Sequence, residues 1–388
     1  MPFRDINSLC ESYERLRSVM PLRTIHLLDI YGILIKILLA LGEVSTMLKP
    51  RFVSPIFFLL LFSMLLISGC SFKPSKLFPE PVPISDLPAE ALFIDKDAIY
   101  NRTLTLIQSA QTSIYVEQAE FDDPGLVQLL LTKSRAGIDV RILLDQWQKV
   151  NRVTLDLLKS ENVSIQFYPA QKGQINHTKY LIVDQNVAMI YGPPWTADGL
   201  LAHDLAVELS GKSAWKTANL FSKDWEFTTT FPLNVPKTSS LPDDMIVLAT
   251  SAKIKQQLVE QISASTKSIW IEISEITDTD PDIIQALIDA AEKGRDIRLI
   301  LDRALVSKTP TTLEKLKVKN ITIRYFPSQT PLGMHLAIFD NSSFLLSSSN
   351  WTRYSFVAYH EFSITVPSPL ASAKLGAMFN QDWEKSTE

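Results

Sequence analysis

Cysteine is nearly missing from this 388-residue chain: Cys10 and Cys70 are the only two. Neither a disulfide framework nor a cysteine-based zinc site can be built from that count. Glycine is also scarce, 12 residues in all, and no glycine-rich phosphate loop occurs. Excess positive charge is lacking, with 38 basic against 42 acidic residues, a net charge of −4 and a pI near 5.8. That removes the electrostatic support on which nucleic-acid binders draw, although a local basic cleft stays open. After Met47 the apolar run is about a dozen residues, short of the roughly 20 that a membrane span needs.

What is present begins with 46% hydrophobic residues, enough for one large core or two moderate ones. From Met47 the chain reads "MLKPRFVSPIFFLLLFSMLLISGC": Lys49 and Arg51, an apolar run, then small residues. This is the order of a secretory signal. "LISGC" looks like a bacterial lipobox, which implies that Cys70 becomes the lipidated first residue of the mature chain. The other reading is a single signal anchor in which "SGC" is a coincidence. On the lipobox reading, 47–70 is the signal and Met47 the start, leaving 1–46 as an upstream extension, either untranslated or amphipathic and membrane-associated. The proline-rich stretch 71–90 reads as an extended tether. One acyl chain binds membranes marginally and several hold firmly. The expectation is an exported, membrane-anchored lipoprotein of the cell envelope.

The remainder is an internal repeat. "SIYVEQAEF" (113–121) recurs as "SIWIEISEI" (268–276), each a strand with an acid at its fifth position, Glu117 and Glu272. "DDPGLVQLLLTKSRAGIDVRILLD" recurs as "TDPDIIQALIDAAEKGRDIRLILD", an Asp-Pro helix start, an amphipathic helix, a stopping glycine and a buried strand. "VSIQFYP" matches "ITIRYFP", and "FSKDWE" matches "FNQDWE", always at offsets of 155 to 158 residues. A repeat of that length is a duplicated domain rather than a solenoid unit. Strands alternating with helices predict α/β lobes over 91–231 and 249–388, with 232–248 as linker.

In "HTKYLIVD", strand alternation puts His177, Lys179, Leu181 and Val183 on one face, with Asp184 turned away or in the following turn. A lone His beside a Lys is ordinarily just a surface strand. Here the spacing His-x-Lys-x-x-x-x-Asp, placed in a duplicated chain with "SSSNWT" (347–352) and "EQAEFDDP", resembles the phospholipase D superfamily from about residue 90 to the end. The resemblance implies two duplicated α/β lobes, each a mixed sheet flanked by helices, packed face to face with the site at their interface. It implies a phosphodiesterase, hydrolytic or transphosphatidylating, with no metal or other cofactor. His177 would be the nucleophile, forming a phosphohistidine. A second His would protonate the leaving alcohol. Lys179 and an Asn would hold the phosphate. Asp184 completes the motif's catalytic set, in a mainly structural role. "HDLAVELS" and "HEFSITVP" offer Asp204 and Glu361 as carboxylates that orient the catalytic histidines, or that merely cap strand ends. His203 and His360 are expected to pack or hydrogen-bond rather than react.

The second motif is irregular. Aligned from Asp340, Gly333 stands in the His slot and His335 in the Lys slot; aligned from Pro327, His335 falls opposite His177. The first alignment is favoured because loops absorb deletions more readily than strands. The first copy departs too, with Pro194 where "SSSNWT" has Asn350. The halves together supply one composite site: His177, Lys179, His335 and Asn350. Three readings stay open: a working phosphodiesterase with His335 as acid or phosphate ligand, an inactive protein that binds a headgroup or partner, and a homodimer pairing two first copies. One chain already holds both lobes, so no obligate oligomer is implied. The anchor and acidic pI favour phospholipid over nucleic acid as substrate, and a nuclease is the minor alternative. Trp195 and Trp351 read as core or cleft-wall aromatics.

Overall fold

The computed structural model describes residues 84–388 except 237–239, 277–278, 305–309 and 318–319. The extension 1–46, the signal-like segment with Cys70 and most of the tether lie outside the described residues.

The sequence repeat becomes two copies of one sheet. The first contains β1 (Leu92–Ile94), β2 (Ser113–Gln118), β3 (Asp139–Asp145), β4 (Ser164–Tyr168), β5 (Tyr180–Val183), β6 (Val187–Tyr191) and β7 (Leu205–Ser210). Their spatial order is β1-β7-β6-β5-β2-β3-β4. The second contains β8 (Val247–Thr250), β9 (Ser268–Ile273), β10 (Asp296–Asp302), β11 (Ile321–Phe326), β12 (His335–Phe339), β13 (Ser343–Ser347) and β14 (Phe362–Val366). Read from β8, it runs β8-β14-β13-β12-β9-β10-β11, the same order. In both sheets the β2-β3-β4 or β9-β10-β11 group is parallel and the other pairings are antiparallel. Parallel neighbours need a crossover, and the Asp-Pro helices Pro124–Arg135 and Pro281–Glu292 provide it. Their starts are capped as the sequence suggests: Asp123 accepts from the Leu126 amide at 2.8 Å and Asp280 from the Asp282 amide at 3.0 Å. β8 begins at Val247, inside the stretch read as linker.

Three apolar layers result. Strand alternation sends Leu181 and Val183 of β5 into the first lobe's own core, with Leu126, Leu130 and Ile142. This corrects the expectation that they share the motif's cleft face. Tyr180 and Ile182 point the other way, into a core shared by both lobes. In that layer Phe221 stacks on Tyr115 at 5.1 Å, Phe379 stacks on Trp270 at 5.4 Å, and Tyr180 meets Phe362 of the other lobe at 5.6 Å. Burying each such ring contributes on the order of 2–3 kcal/mol, so the lobes share much of their stability. Trp195 and Trp351 are fully buried core residues.

The β5–β6 and β12–β13 hairpins turn through paired left-handed residues, Asp184 and Gln185 (φ 50° and 57°) and Asp340 and Asn341 (both 52°). Short polar side chains tolerate that conformation best. The Asp184 carboxylate accepts hydrogen bonds from the amides of Gln111 (3.0 Å), Thr112 (2.7 Å) and Ser113 (2.9 Å) and from the Thr112 hydroxyl (2.8 Å). Asp340 repeats this with Thr266, Lys267 and Ser268. Burial opposes the Asp184 charge, but these donors hold its pKa below the usual carboxylate value. Asp184 thus stands at the far end of β5 from His177, clamping the start of β2. It leaves the catalytic set in which the motif places it. Asp184→Ala is expected to cost about 2 kcal/mol, read as a lower denaturation midpoint at unchanged m-value. An unaltered midpoint would contradict the clamp.

Candidate active site between the lobes

Strand register decides which residues are equivalent. Glu117 of β2 lies opposite Tyr180, and Glu272 of β9 lies opposite Leu336. Counting back from Tyr180 and Leu336, Lys179 matches His335 and His177 matches Gly333. Backbone bonds across the lobes agree: the His177 amide donates to the His360 carbonyl (2.9 Å), and the Gly333 amide to the His203 carbonyl (3.0 Å). The alignment from Asp340 therefore holds, and the one from Pro327 does not. His335 occupies the lysine slot.

The first half-site keeps its histidine, its lysine and the carboxylate that faces the histidine. His177 Nδ1 lies 2.9 Å from Glu361 Oε1, a contact between lobes, and Glu361 Oε2 accepts from the Ser348 hydroxyl at 2.6 Å. Burial works to raise the Glu361 carboxyl, but His177, Ser348 and Lys179 hold it below its ordinary value. The group is a carboxylate, so Nδ1 carries the imidazole proton and Nε2 presents its lone pair. Tyr359 packs edge-on against the ring at 5.8 Å. Ser348 was not anticipated from the sequence, although it sits two residues before Asn350 in the "SSSN" run.

Lys179 is buried, and its Nζ donates to the His177 carbonyl at 3.2 Å. Burial pulls its ammonium pKa down, while Glu361, Asp204 and Glu120 pull it back up. His335 Nε2 bonds the Asn350 side-chain oxygen, with Ser274 Oγ at 3.3 Å, and its Nδ1 is buried without a hydrogen-bond partner. Burial and the positive charge of Lys179 push His335 down to about 4, so the ring is neutral at pH 7. His177, Lys179, His335, Asn350 and Glu361 are thus brought together from both lobes.

The second half-site is stripped. Asp204 is the counterpart of Glu361, but the positions equivalent to His177 and Ser348 are Gly333 and Gly192. Both glycines lie directly against the Asp204 carboxyl, and a Cβ at Gly333 would fall 2.5 Å from Oδ2. Among the described residues its carboxylate receives one hydrogen bond, from the Leu205 amide at 2.7 Å. The expectation that Asp204 orients a histidine is corrected: there is no histidine in the slot.

Comparison with known proteins fits this frame. The family described as "Cardiolipin synthase, PLD-like domain" matches twice, over residues 103–225 and 258–383. The chain belongs to the phospholipase D superfamily. A probable cardiolipin synthase of Bacillus subtilis is 22% identical over 323 residues, covering 72% of this chain and 63% of that one. A cardiolipin synthase of Clostridium perfringens is 21% identical over 346 residues, covering 76% and 71%. The chain thus spans about two thirds of the length of these relatives. Among solved structures, phosphatidylserine synthase from Haemophilus influenzae superposes with a TM-score of 0.63 at 12% identity, covering 78% of this chain and 88% of that one. Polyphosphate kinase from Porphyromonas gingivalis gives 0.58 at 14%, covering 79% and 50%. These two likenesses concern the fold.

Two further clusters tie the lobes of this phospholipase D-like chain together. His360 Nε2 lies 3.2 Å from Asp224 and 3.6 Å from Glu117, both in the other lobe. Its counterpart His203 reaches Asp382 at 3.0 Å and Glu272 at 3.8 Å through Nε2, and Asp95 at 2.6 Å through Nδ1. No metal-ligand cluster is legible in the sequence, yet each set gathers one histidine and two carboxylates with ligand atoms within 4.8 Å. The imidazolium itself fills the cation's place. Burial disfavours both charges, but the acidic hydrogen bonds overcome it and raise His203 to about 10 and His360 to about 9. Glu117 is satisfied by Asn176 (2.7 Å) and Tyr180 (2.5 Å), whereas Leu332 and Leu336 replace these beside Glu272, whose oxygens lack hydrogen bonds. Burial lifts Glu117 to about 7 and Glu272 to about 8.

A histidine whose folded pKa is raised stabilises the fold fully below about 6.5 and loses that contribution as pH rises through 9 to 10. A carboxyl raised in the fold loses stability earlier, from about 4.5 up to its folded value of about 7 to 8, and adds no slope above that. The melting temperature should therefore fall steadily between pH 7 and 10, and Glu272→Gln should flatten part of that slope. A profile flat from pH 6 to 10 would refute the charge assignment.

Proposed function

We propose that the chain is a phospholipase D-type phosphodiesterase acting on phospholipid through a phosphohistidine at His177. The observation that carries this reading is the 2.9 Å contact between His177 Nδ1 and the buried Glu361 carboxylate. It fixes the tautomer and aims the free Nε2 lone pair, as a nucleophilic imidazole requires. Attack on phosphorus forms the N–P bond and expels the alkoxide; water or an alcohol then displaces the histidine. Lys179 supplies positive charge for the phosphate oxygens, and Asn350, braced by neutral His335, supplies an amide. With its pKa near 4, His335 serves as a phosphate-side positioning group rather than a proton donor at neutral pH.

The cardiolipin synthases among its relatives support phospholipid as the substrate class, with headgroup transfer to an alcohol as one form of the same chemistry. Among the described residues no helix is long and apolar enough to cross a membrane. Acylation of Cys70 would instead hold the site at a lipid surface.

A second reading, a non-catalytic headgroup binder, draws on Gly333 and on the missing second lysine. Activity separates the two. With full-length protein and vesicles of phosphatidylglycerol and phosphatidylcholine, His177→Ala should lower turnover on the order of 10³-fold or more. Radiolabelled phospholipid should leave an acid-labile phosphoenzyme in the parent and none in the variant. Vesicle binding without turnover or label would favour the binder.

A further inference from the structure

We infer that Asp204 has become the general acid of this site, taking over the proton transfer that a histidine at position 333 would perform. The inference rests on the proposed phosphohistidine chemistry and names the group that completes it.

The geometry is a paired comparison inside one molecule. Glu361 is held as a carboxylate by two donors, the His177 imidazole and the Ser348 hydroxyl. At the pseudo-symmetric position both donors are glycines, Gly333 and Gly192, and the Asp204 carboxyl lies directly against them. The absence of both side chains lets the Asp204 carboxyl fill the space that their Cβ atoms would take. It also leaves a carboxyl that is 1% exposed with a single amide donor. Gly333 itself is only partly buried, as His177 is, and Oδ2 is the atom that a side chain there would meet first. A buried acid without donors is most stable carrying its proton. Burial lifts Asp204 to about 7, against the opposing pull of the Leu205 amide and of the Lys179 charge. Near neutral pH the Asp204 carboxyl therefore still carries its proton in a large share of molecules, while the neutral His335 ring is not an acid.

The step balances. His177 Nε2 attacks phosphorus as the bond to the leaving oxygen breaks, and the Asp204 carboxyl passes its proton to that oxygen. The resulting carboxylate stands beside the Lys179 ammonium. In the second step it takes a proton from the attacking water as the N–P bond breaks, restoring both groups.

The test compares leaving groups in the full-length chain. Bis-p-nitrophenyl phosphate expels a phenolate that needs no proton, whereas phosphatidylcholine expels an alkoxide that does. Asp204→Asn, isosteric with the protonated acid, should lose roughly 10²- to 10⁴-fold on phosphatidylcholine. On the nitrophenyl ester it should still release a burst of one equivalent per chain and then stall as phosphoenzyme, because the base for water is missing. The parent's rate on phosphatidylcholine should decline above pH 7, where Asp204 deprotonates. His335→Gln should slow both substrates alike. Equal losses in the first, leaving-group step on both substrates for Asp204→Asn, or none on either, would overturn the assignment while leaving His177 as nucleophile. A parent inert on both substrates, or one whose burst survives His177→Ala, overturns the phosphohistidine reading and this one with it.

Discussion

Everything at the candidate site depends on an exchange across the interface between lobes. The first lobe does not orient its own motif histidine: His177 is held by Glu361 of the other half, 184 positions along the chain. The same exchange appears in the paired backbone bonds of His177 with His360 and of Gly333 with His203, and in the clusters around His360 and His203. These last are buried imidazolium ions ringed by carboxylates. Such ions contribute little net stability where hydrophobic residues could replace them, but breaking one partner leaves an uncompensated charge. Their effect is to permit one docking of the lobes and penalise others. A nucleophile aimed by a residue from the opposite lobe needs that single arrangement.

Once two half-sites share one substrate, they need not stay alike. The reaction requires one nucleophile, one acid and one set of phosphate ligands. The first lobe keeps His177 and Lys179 and loses the asparagine to Pro194. The second keeps Asn350, loses both histidine and lysine from their slots, and presents His335 instead. The drift is coupled rather than scattered. Gly333 and Gly192 lie on the same carboxyl, so losing only one donor would have left a half-satisfied buried charge. Likewise Leu332 and Leu336 replace both hydrogen-bonding neighbours of Glu272, and its carboxyl is lifted further than that of Glu117.

The repeat, the α/β class and the mixed sheets could be read from the sequence because they rest on local pattern: an acid at the fifth position of a strand, Asp-Pro before an apolar helix, Asp at a hairpin turn. The composite site was legible as four residues for the same reason. The register of the second motif was legible only as the favoured of two alignments, since a strand's period of two conceals a slip of two residues. The face of β5 was misassigned because Leu181 and Val183 are apolar on either assignment, and only packing distinguishes a shared core from a private one. The clasps around His203 and His360 had no local signature at all. Their partners lie between 69 and 243 positions away, all but Asp95 in the other repeat, and a single buried histidine looks the same in sequence whether it is a ligand, an ion or a spacer.

Charge explains why an acid at Asp204 is compatible with the lysine beside it. Lys179 draws the carboxyl towards ionisation, and burial draws it back. A phosphodiester carries a negative charge and, on the proposed chemistry, settles against Lys179. There it offsets the cation and adds repulsion to an ionised carboxyl, so both effects favour the protonated form. Substrate binding would thus load the acid before the phosphorus–oxygen bond weakens. As charge moves onto the leaving oxygen, that oxygen becomes the better base and the proton follows. The histidine that the second lobe gave up would have needed a carboxylate partner to stay charged in this cleft. An unpartnered carboxyl needs only its burial.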